Sequence, residues 1–412
     1  MPEFFNVLPP QRALQALLDA MPPPGLDNDE VAVDEALGRI TALDLSASED
    51  LPSFPRATVD GYSLRAADTF GASEGLPAYF TVAGEVPMGR AAGVSLSLGE
   101  AAGAYTGGML AHNADAVVMV EHTQQVDADT IEVVRPVAPG ENVVQPGEDV
   151  RQGDTILPRG HLLRPQDLGG LTALGITRVK VTRRPRVAIL SMGDEVVAPE
   201  VSPAPGQIRD VNSYTVTAQV SQAGGEPVAL GIVGDVYEEQ LSAARQGLED
   251  ADVLVISAGS SVSVRDMTAD IINALGKPGV LVHGLSIRPG KPAILGLVEG
   301  KPAFGLPGNP VSAMIVFELV VRPTLYRLAG CVNPPEPAFT RASLTLDIAS
   351  APGREDYVPV RLYAKGSGEL KAEPVFGKSN LIFTLIRADG LVQVPLDKAG
   401  LYAGETVPVR LF

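Results

Sequence analysis

Apolar and polar positions repeat along the chain with a period that changes several times, and each change marks a predicted segment. Near the N-terminus, apolar residues at helical spacing predict helices over residues 13–21 and 31–37. From about residue 51 to 150, short alternating stretches such as 78–83 and 130–134 are separated by Gly and Pro. That pattern predicts a compact β domain.

A different pattern occupies residues 184–330. Continuous apolar stretches alternate there with amphipathic segments, which indicates a parallel, doubly wound α/β sheet. The predicted strands are residues 187–191, 228–233, 253–257, 293–298 and 303–306, and the predicted helices are residues 213–223, 237–248, 268–275 and 310–328. The last two strands flank Glu299-Gly300-Lys301, which predicts a hairpin.

The remaining segments complete the predicted domain organisation. Residues 151–183 combine a helical pattern over 162–175 with a strand over 178–182, and residues 331–412 alternate like a small all-β domain. The predicted fold class is therefore α/β plus β in a multidomain chain. The predicted domains are an N-terminal domain of residues 1–50 and 151–183, an inserted β domain of 51–150, an α/β domain of 184–330 and a C-terminal β domain of 331–412.

Composition and charge restrict the class of protein and its partners. The chain has 412 residues, of which 45% are hydrophobic, so it can bury several cores. Its 49 acidic and 32 basic residues give a net charge of −17, which disfavours nucleic acid and anionic membranes as partners. The single cysteine, Cys331, and the absence of a signal-peptide pattern lead us to expect a soluble, cytoplasmic protein.

Three of the predicted strands end in loops that carry carboxylates. Glu195 follows the first strand, Asp235 the second and Asp266 the third. Ligands of an open α/β sheet bind beyond the carboxyl ends of its strands, and carboxylates gathered there can hold Mg²⁺. Asp235 or Asp266 alone could instead cap the helix that follows it. The gathering of three at one edge favours a metal site.

Two further segments could bind an anion. Gly259, Ser260 and Ser261 form a turn that leads to a helix, where free backbone N–H groups suit a phosphate, although such turns often only connect elements. Arg288 and Lys291 lie in a rigid Arg-Pro-Gly-Lys-Pro turn. In a chain of this negative charge, that turn is a candidate oxyanion or phosphate clamp, and a solvated turn is the alternative.

The motif at residues 305–312, Gly-Leu-Pro-Gly-Asn-Pro-Val-Ser, follows a predicted strand and opens the long predicted helix. Pro307 and Pro310 are candidate substrate-binding residues in it, and Pro310 suits the first position of a helix. The four histidines and one cysteine show no metal-ligand spacing. We therefore expect chemistry that depends on a metal ion, electrostatics and positioning rather than on a covalent intermediate.

Taken together and in this order, these segments resemble one family, the molybdopterin molybdotransferases, which include MoeA and the gephyrin E domain. The similarity runs from about residue 10 to the C-terminus. The segments that carry it are residues 52–62, 106–121, 147–149, 192–195, 288–292 and 305–312.

The resemblance implies an elongated, four-domain homodimer that associates through its N-terminal domains and has its active cleft between protomers. It implies a molybdopterin-binding α/β domain and a Mg²⁺-dependent transferase. The implied substrates are molybdate and adenylylated molybdopterin, and the implied products are molybdenum cofactor and AMP. A molybdopterin adenylyltransferase acting upstream is the implied partner.

The family's functional residues carry over to particular positions of this chain. Arg354 and Ser379 match its proposed molybdate contacts, within a weaker local pattern. The catalytic candidates are Asp60, Thr106, Asp149, Glu195, Asp235 and Asp266; the substrate-binding candidates are Gly259, Ser260, Ser261, Arg288, Lys291, Pro307, Pro310, Arg354 and Ser379; the metal-binding candidates are Glu195, Asp235 and Asp266.

The chain departs from the family pattern at several positions. Ser260 stands where a second glycine is usual, and Arg288 replaces a usual lysine, which changes a point charge into a planar fork. These departures leave open a paralogue dedicated to tungstate. A non-catalytic binding or scaffold protein on the same fold is a second alternative. An adenylyl-transferring relative that shares only the α/β domain is a third.

Overall fold

The computed structural model of the chain describes residues 7–257, 262–365 and 368–412. These residues form two compact units. The first unit comprises residues 7–42, Gly160–Pro165 and Arg178–Phe412, and the second comprises Leu43–Arg159 and Gln166–Thr177. The predicted division into four domains is a finer one and stays a prediction.

A six-stranded mixed sheet lies at the centre of the first unit. Its spatial order is Glu226–Val233, Arg186–Met192, Val253–Ser257, Lys301–Leu306, Ile294–Val298 and Pro278–His283. The first four strands are parallel, which confirms the prediction for the strands at 187–191, 228–233 and 253–257. Ile294–Val298 runs antiparallel to both of its neighbours, Lys301–Leu306 and Pro278–His283. The edge strand Pro278–His283 was not predicted, because Pro278-Gly279 at its start is typical of a turn.

Burial on both faces explains why these strands are continuously apolar. In Arg186–Met192, the side chains of Val187 and Ile189 join one buried cluster, while those of Ala188 and Leu190 join another. The first cluster also takes residues from the helices Pro10–Ala20, Asn212–Gln222 and Pro310–Val316, and the second from Tyr237–Asp250 and Val262–Leu275. Helices therefore cover both faces of the sheet, which confirms the doubly wound α/β arrangement.

Local backbone geometry confirms the hairpin between Ile294–Val298 and Lys301–Leu306. Its two connecting residues, Glu299 and Gly300, have φ values of 49° and 84°. A two-residue turn with positive φ at both positions matches the twist of the strands that it joins.

The second helix predicted near the N-terminus is mostly not helical in the structure. Residues 31–37 were predicted as a helix, but Asn28–Ala32 is a strand that pairs with Arg178–Thr182 and leads into the short 3₁₀ helix Val33–Glu35. The prediction was wrong because the partner strand is distant in sequence and supplies hydrogen bonds that local spacing does not reveal. The α-helices of the described chain are Pro10–Ala20, Pro165–Ala173, Asn212–Gln222, Tyr237–Asp250, Val262–Leu275, Pro310–Val316, Arg322–Leu328 and Phe383–Ile386.

The long helix predicted over 310–328 is divided by a π-helical segment. Phe317–Val321 has π geometry and separates Pro310–Val316 from Arg322–Leu328. Pro323 follows this segment and has no N–H to donate to the preceding turn, which favours a locally altered hydrogen-bond ladder. None of the helices in the described segments is long and apolar enough to cross a lipid bilayer.

The C-terminal region forms a second six-stranded sheet, which confirms the predicted β domain. Its spatial order is Ile287–Arg288, Glu355–Lys365, Glu369–Pro374, Phe339–Leu344, Thr406–Leu411 and Gly390–Val394. Glu355–Lys365 also pairs with Gly390–Val394, so the last five strands close into a barrel. The strand Ile287–Arg288 comes from the α/β region and joins the edge of this barrel.

The second unit is built around its own six-stranded sheet, as its alternating pattern predicted. The spatial order is Ala116–Met119, Gly61–Leu64, Glu100–Ala104, Ala78–Glu85, Thr130–Val133 and Thr123–Gln125. Its core contains Leu64, Phe80 and Ile131, each at most 1% exposed.

Shorter two-stranded ladders in both units complete the described chain: Asn28–Ala32 with Arg178–Thr182, Arg56–Ala57 with Val143–Val144, Leu45–Ser46 with Thr155–Leu157, Val196–Val197 with Ile208–Arg209, and Ile348–Ala349 with Gly400–Leu401.

Candidate active site

A cavity of about 920 Å³ lies between the α/β region and the C-terminal barrel of the first unit. Among the described residues that line it, four are cationic and one is a carboxylate, Asp356. The cations are Arg288, Lys291, Arg354 and Lys378. The cavity wall therefore carries an excess of positive charge in a chain whose net charge is −17. This combination suits an anionic ligand that must be bound against the global field.

The basic turn is held in place by strand pairing and by a glycine. Arg288 lies opposite Asp356 in the parallel pairing between the turn and the barrel. Gly290 has φ +116°, and a Cβ there would lie 2.7 Å from side-chain atoms of Ile287 and Val316. The turn packs so closely against Ile287 and Val316 that a larger residue at position 290 would clash with them. Glycine also adopts this positive φ without strain.

Arg354 is fixed by Asp356. The Nε atom of Arg354 donates to Oδ1 of Asp356 at 2.8 Å, and Nη2 donates to Oδ2 at 3.3 Å. Asp356 is 3% exposed, and its Oδ2 also lies 3.9 Å from Nη1 of Arg288. One buried carboxylate therefore contacts two of the cations that line the cavity.

Ser379 also lines the cavity and is hydrogen-bonded to the start of a helix. Its Oγ accepts a hydrogen bond of 2.9 Å from Nδ2 of Asn309, and its carbonyl oxygen accepts one of 3.2 Å from the N–H of Val311. Pro307 lines the cavity, and Pro310 lies between the lining residues Asn309 and Val311. Four segments that are distant in sequence thus meet at one cavity.

Besides Asp356, sequence reasoning missed the lining residues Lys378 and Ser286. Lys378 is exposed and adds a fourth cation next to Ser379. Ser286 is 8% exposed, and its Oγ has no hydrogen-bond partner among the described residues. A buried hydroxyl at a cavity wall is available to a ligand. The only sequence signal for either residue is its position within two residues of a candidate, Ser379 or Arg288.

The carboxylates at the sheet edge lie in two loops that are bonded to each other. Oδ1 of Asp194 accepts a hydrogen bond of 2.9 Å from the N–H of Asp235, and the N–H of Gly193 donates to the carbonyl oxygen of Val233 at 3.1 Å. The carboxylate of Glu195 folds over Gly193, where a Cβ would lie 2.5 Å from Oε2. Asp194, which sequence reasoning did not single out, therefore joins the loop of Glu195 to that of Asp235.

The capping alternative for these aspartates is not what the structure contains. The helix Tyr237–Asp250 has Val236 at its N-cap without a side-chain hydrogen bond, so Asp235 does not cap it. The third helix begins at Val262 rather than at residue 268, so Asp266 lies inside the helix instead of preceding it. The side chain of Asp266 and residues 259–261 lie outside the described part of the chain.

Asp235 has the clearest feature of a metal ligand at this edge. Its Oδ1 is buried and has no hydrogen-bond partner among the described residues. Across residues 7–257, 262–365 and 368–412, no group of three or more His, Cys, Asp or Glu side chains is arranged to hold a metal. A three-carboxylate site that includes Asp266 therefore stays a prediction.

The remaining candidates belong to the second unit. Oδ1 of Asp60 accepts hydrogen bonds from the N–H of Thr106 at 2.8 Å and from its Oγ1 at 2.9 Å. These bonds, the backbone one first, lower the pKa of Asp60. Asp149 is exposed, and its N–H donates to the carbonyl oxygen of Leu51 at 3.0 Å. Asp60 and Thr106 thus form one polar pair, and Asp149 is anchored at a separate turn.

Three family profiles match the chain in succession. The MoeA N-terminal region (domain I and II) matches residues 8–175, a probable molybdopterin binding domain matches 188–327, and the MoeA C-terminal region (domain IV) matches 341–412. With the fold, these matches define the class: a multidomain protein built around an α/β domain of the molybdopterin-binding type.

Full-length relatives identify the family. The chain is 32% identical to a molybdopterin molybdenumtransferase 2 of Mycobacterium tuberculosis, covering 92% of this chain and 94% of the relative. It is 31% identical to a molybdopterin molybdenumtransferase of Haemophilus influenzae, with coverage of 97% and 98%. A molybdopterin biosynthesis MoeA protein of Pyrococcus horikoshii has a similar structure, with a TM-score of 0.85, 32% identity and coverage of 99% and 100%. The chain belongs to the MoeA family.

Proposed function

We propose that this protein is a molybdopterin molybdenumtransferase that inserts molybdate into adenylylated molybdopterin and releases AMP. The observation that carries the proposal is the cationic cavity, where Arg288, Lys291, Arg354 and Ser379 line one space of about 920 Å³. Molybdate is a dianion and molybdopterin carries a phosphate, so the reaction must hold two negatively charged reactants together. The names of the full-length relatives support the same activity.

The residues of the cavity have complementary roles in this proposal. Arg354 and Arg288 present planar guanidinium groups, which can each donate two parallel hydrogen bonds to an oxyanion. Lys291 adds a third positive charge from the same rigid turn. The hydroxyl of Ser379, which accepts from Asn309, keeps its own hydrogen for a ligand. Together they neutralise and orient the anions, which is the contribution expected when no covalent intermediate is formed.

We also propose that the sheet edge holds Mg²⁺. Asp235 fits this role because one of its oxygens is buried without a partner in the described chain, and Glu195 lies in the loop bonded to it. Asp266 is the third proposed ligand. When bound, Mg²⁺ would offset charge on the adenylate phosphates, as it does for other phosphate substrates.

The proposal extends to assembly and location. We infer a homodimer and an upstream adenylyltransferase that supplies the substrate, and Asp60, Thr106 and Asp149 stay candidate catalytic residues. The single cysteine supports a cytoplasmic location. Light scattering on the purified chain tests the dimer, because a monomeric mass at micromolar concentration would contradict it.

Single-turnover conversion of adenylylated molybdopterin tests the proposed function. With Mg²⁺ and low molybdate, we expect AMP release that is lost when either molybdate or Mg²⁺ is omitted, and a much slower release from Arg354→Ala. Release with tungstate but not with molybdate would identify a tungstate-dedicated paralogue. No release with either oxyanion, from a folded protein that binds the adenylate, would contradict the transferase and favour a binding protein on this fold.

A further inference from the structure

Asp356 is a buried carboxylate in a cavity that is otherwise lined by cations among its charged described residues. A negative charge at this position opposes the binding of an anion, so its presence needs a physical reason. Both carboxylate oxygens face guanidinium groups: Arg354 through bonds of 2.8 Å and 3.3 Å, and Arg288 at 3.9 Å. With only 3% of the residue exposed, Asp356 interacts with these two cations rather than with water.

The backbone of Asp356 is held on both sides. In the strand Glu355–Lys365, Asp356 lies opposite Arg288 on one side and opposite Val394 on the other. Arg354 precedes this strand, and its side chain is long and has several rotatable bonds. The carboxylate is therefore a rigid acceptor, whereas the guanidinium that it contacts would otherwise sample several rotamers.

Orientation and charge act in opposite directions at this position. An unrestrained arginine loses side-chain entropy when it binds a ligand, and a partner that fixes it beforehand removes that cost. Two of the five N–H donors of Arg354 point at Asp356, which leaves three for other partners. The charge of Asp356 weakens anion binding. Its hydrogen bonds strengthen anion binding, because they hold the Arg354 guanidinium in one orientation.

We propose that Asp356 is a positioning residue that orients Arg354, and to a lesser degree Arg288, towards a tetrahedral oxyanion. The orienting effect exceeds the repulsion by its charge, so the carboxylate tightens oxyanion binding. This inference rests on the proposed function, in which the cavity holds molybdate or tungstate. It predicts that removing a negative charge from an anion site weakens the site.

Calorimetric titration of the full chain with tungstate, and separately with molybdate, tests the inference. We expect Asp356→Asn to weaken binding about tenfold, as the loss of a charge-assisted hydrogen bond implies. Asp356→Glu, which keeps the charge, should recover part of this loss. Asp397→Asn is the matched control, because Asp397 is exposed in the same barrel region and outside the cavity lining, and it should bind like the wild type.

A double-mutant cycle separates positioning from general damage. In the Arg354→Ala background, we expect Asp356→Asn to have a much smaller effect than in the wild type, because most of what Asp356 orients is gone. If Asp356→Asn weakens oxyanion binding by the same factor in both backgrounds, Asp356 acts on the structure in general and not through Arg354. That result would overturn the inference. Arg354→Lys serves where Asp356→Asn fails to fold: lysine keeps the charge but lacks the planar fork that Asp356 holds through two hydrogen bonds, so wild-type binding by that variant would also overturn the inference.

The outcomes keep this inference distinct from the proposed function. If Arg354→Ala weakens tungstate binding while Asp356→Asn binds as tightly as the wild type or more tightly, the cavity binds oxyanion but Asp356 does not position Arg354. If the wild type binds neither oxyanion, or Arg354→Ala binds like the wild type, the proposed oxyanion site itself is wrong.

Discussion

Three of the carboxylates described at the candidate sites are restrained by specific donors. Asp60 accepts from Thr106, Asp194 accepts from the N–H of Asp235, and Asp356 accepts from Arg354. These contacts decide how each group can be used. A carboxylate that already accepts hydrogen bonds is held in one orientation, whereas the buried oxygen of Asp235, which has no partner among the described residues, is available to a cation.

The pair of Asp60 and Thr106 gives a prediction about pH. Thr106→Val removes the side-chain hydrogen bond but keeps the backbone one, which is the larger cause of the lowered pKa. We therefore expect the pKa of Asp60 to rise part of the way towards its usual value of about 3.9. Carbon-13 NMR titration of the Asp60 carboxyl group measures this. Thr106→Ser, which keeps the hydroxyl, is the control and should leave the pKa low.

The same pair has a defined sign in stability. Because the folded pKa of Asp60 lies below its unfolded value, the pair stabilises the fold above the unfolded pKa, and this contribution is lost as the pH falls through the folded value. The difference in stability between Thr106→Val and the wild type should therefore shrink in acid. An unchanged pKa in Thr106→Val would mean that the backbone bond alone sets it.

At the scale of elements, the strands and turns that depend on local interactions were predicted correctly from local sequence patterns. The strands of the α/β sheet could be predicted because burial on both faces requires continuously apolar segments. The Glu299-Gly300 hairpin could be predicted because its short turn favours particular residues. Residues 31–37 were predicted wrongly, because Asn28–Ala32 depends on a partner strand, Arg178–Thr182, that lies far along the chain. Pairing between distant segments is absent from a local pattern.

The residues of the candidate site likewise include some that a local motif predicts and some that it does not. Arg288 and Lys291 could be predicted as an anion clamp from a short motif, since a rigid turn with two cations is a local feature. Arg354 and Ser379 came only from the family resemblance. Asp356 had no local signal, because its role depends on the pairing that sets it opposite Arg288.

The π-helical segment Phe317–Val321 joins the α/β region to the barrel through one carboxylate. Oε2 of Glu318 accepts hydrogen bonds of 3.0 Å from Nη1 of Arg322 in the next helix and from Nη2 of Arg410 in the last barrel strand. Burial lowers the pKa of the Arg410 guanidinium, and the charge of Glu318 offsets this cost. The segment therefore helps to fix the two regions that form the cavity.

We expect Glu318→Gln to destabilise this junction, because two partly buried guanidinium groups would lose their counter-charge. The expected cost is about 1–2 kcal/mol, which lowers the Tm by a few degrees, roughly 2–4 °C per kcal/mol. Scanning calorimetry at neutral pH measures it. Glu336→Gln removes the same charge from an exposed position and should leave the Tm unchanged. Equal melting of the two variants would mean that the Glu318 pairs contribute little.

At the scale of the whole molecule, the cavity works against the net charge of −17. Salt screens the repulsion between the acidic residues of the chain and an anion in the cavity, because the Debye length at physiological ionic strength is about 8 Å. Four cations line the cavity that would hold the anion, and Asp356 is the one carboxylate among its described lining residues. The local excess of positive charge can therefore dominate binding even though the global field repels the ligand during its approach.

An oxyanion that contacts both Arg288 and Arg354 would link the α/β region to the barrel and stabilise the folded state by mass action. At a tungstate concentration of 100 times the Kd, the expected stabilisation is about 2.7 kcal/mol. We expect the Tm of the wild type to rise with the logarithm of tungstate concentration, and that of Arg354→Ala to stay nearly constant. Sodium chloride at equal ionic strength separates specific binding from a general salt effect, because chloride is not a tetrahedral oxyanion. An equal rise in both proteins would show that tungstate acts elsewhere, because a ligand held by Arg354 cannot stabilise a chain that lacks its guanidinium to the same extent.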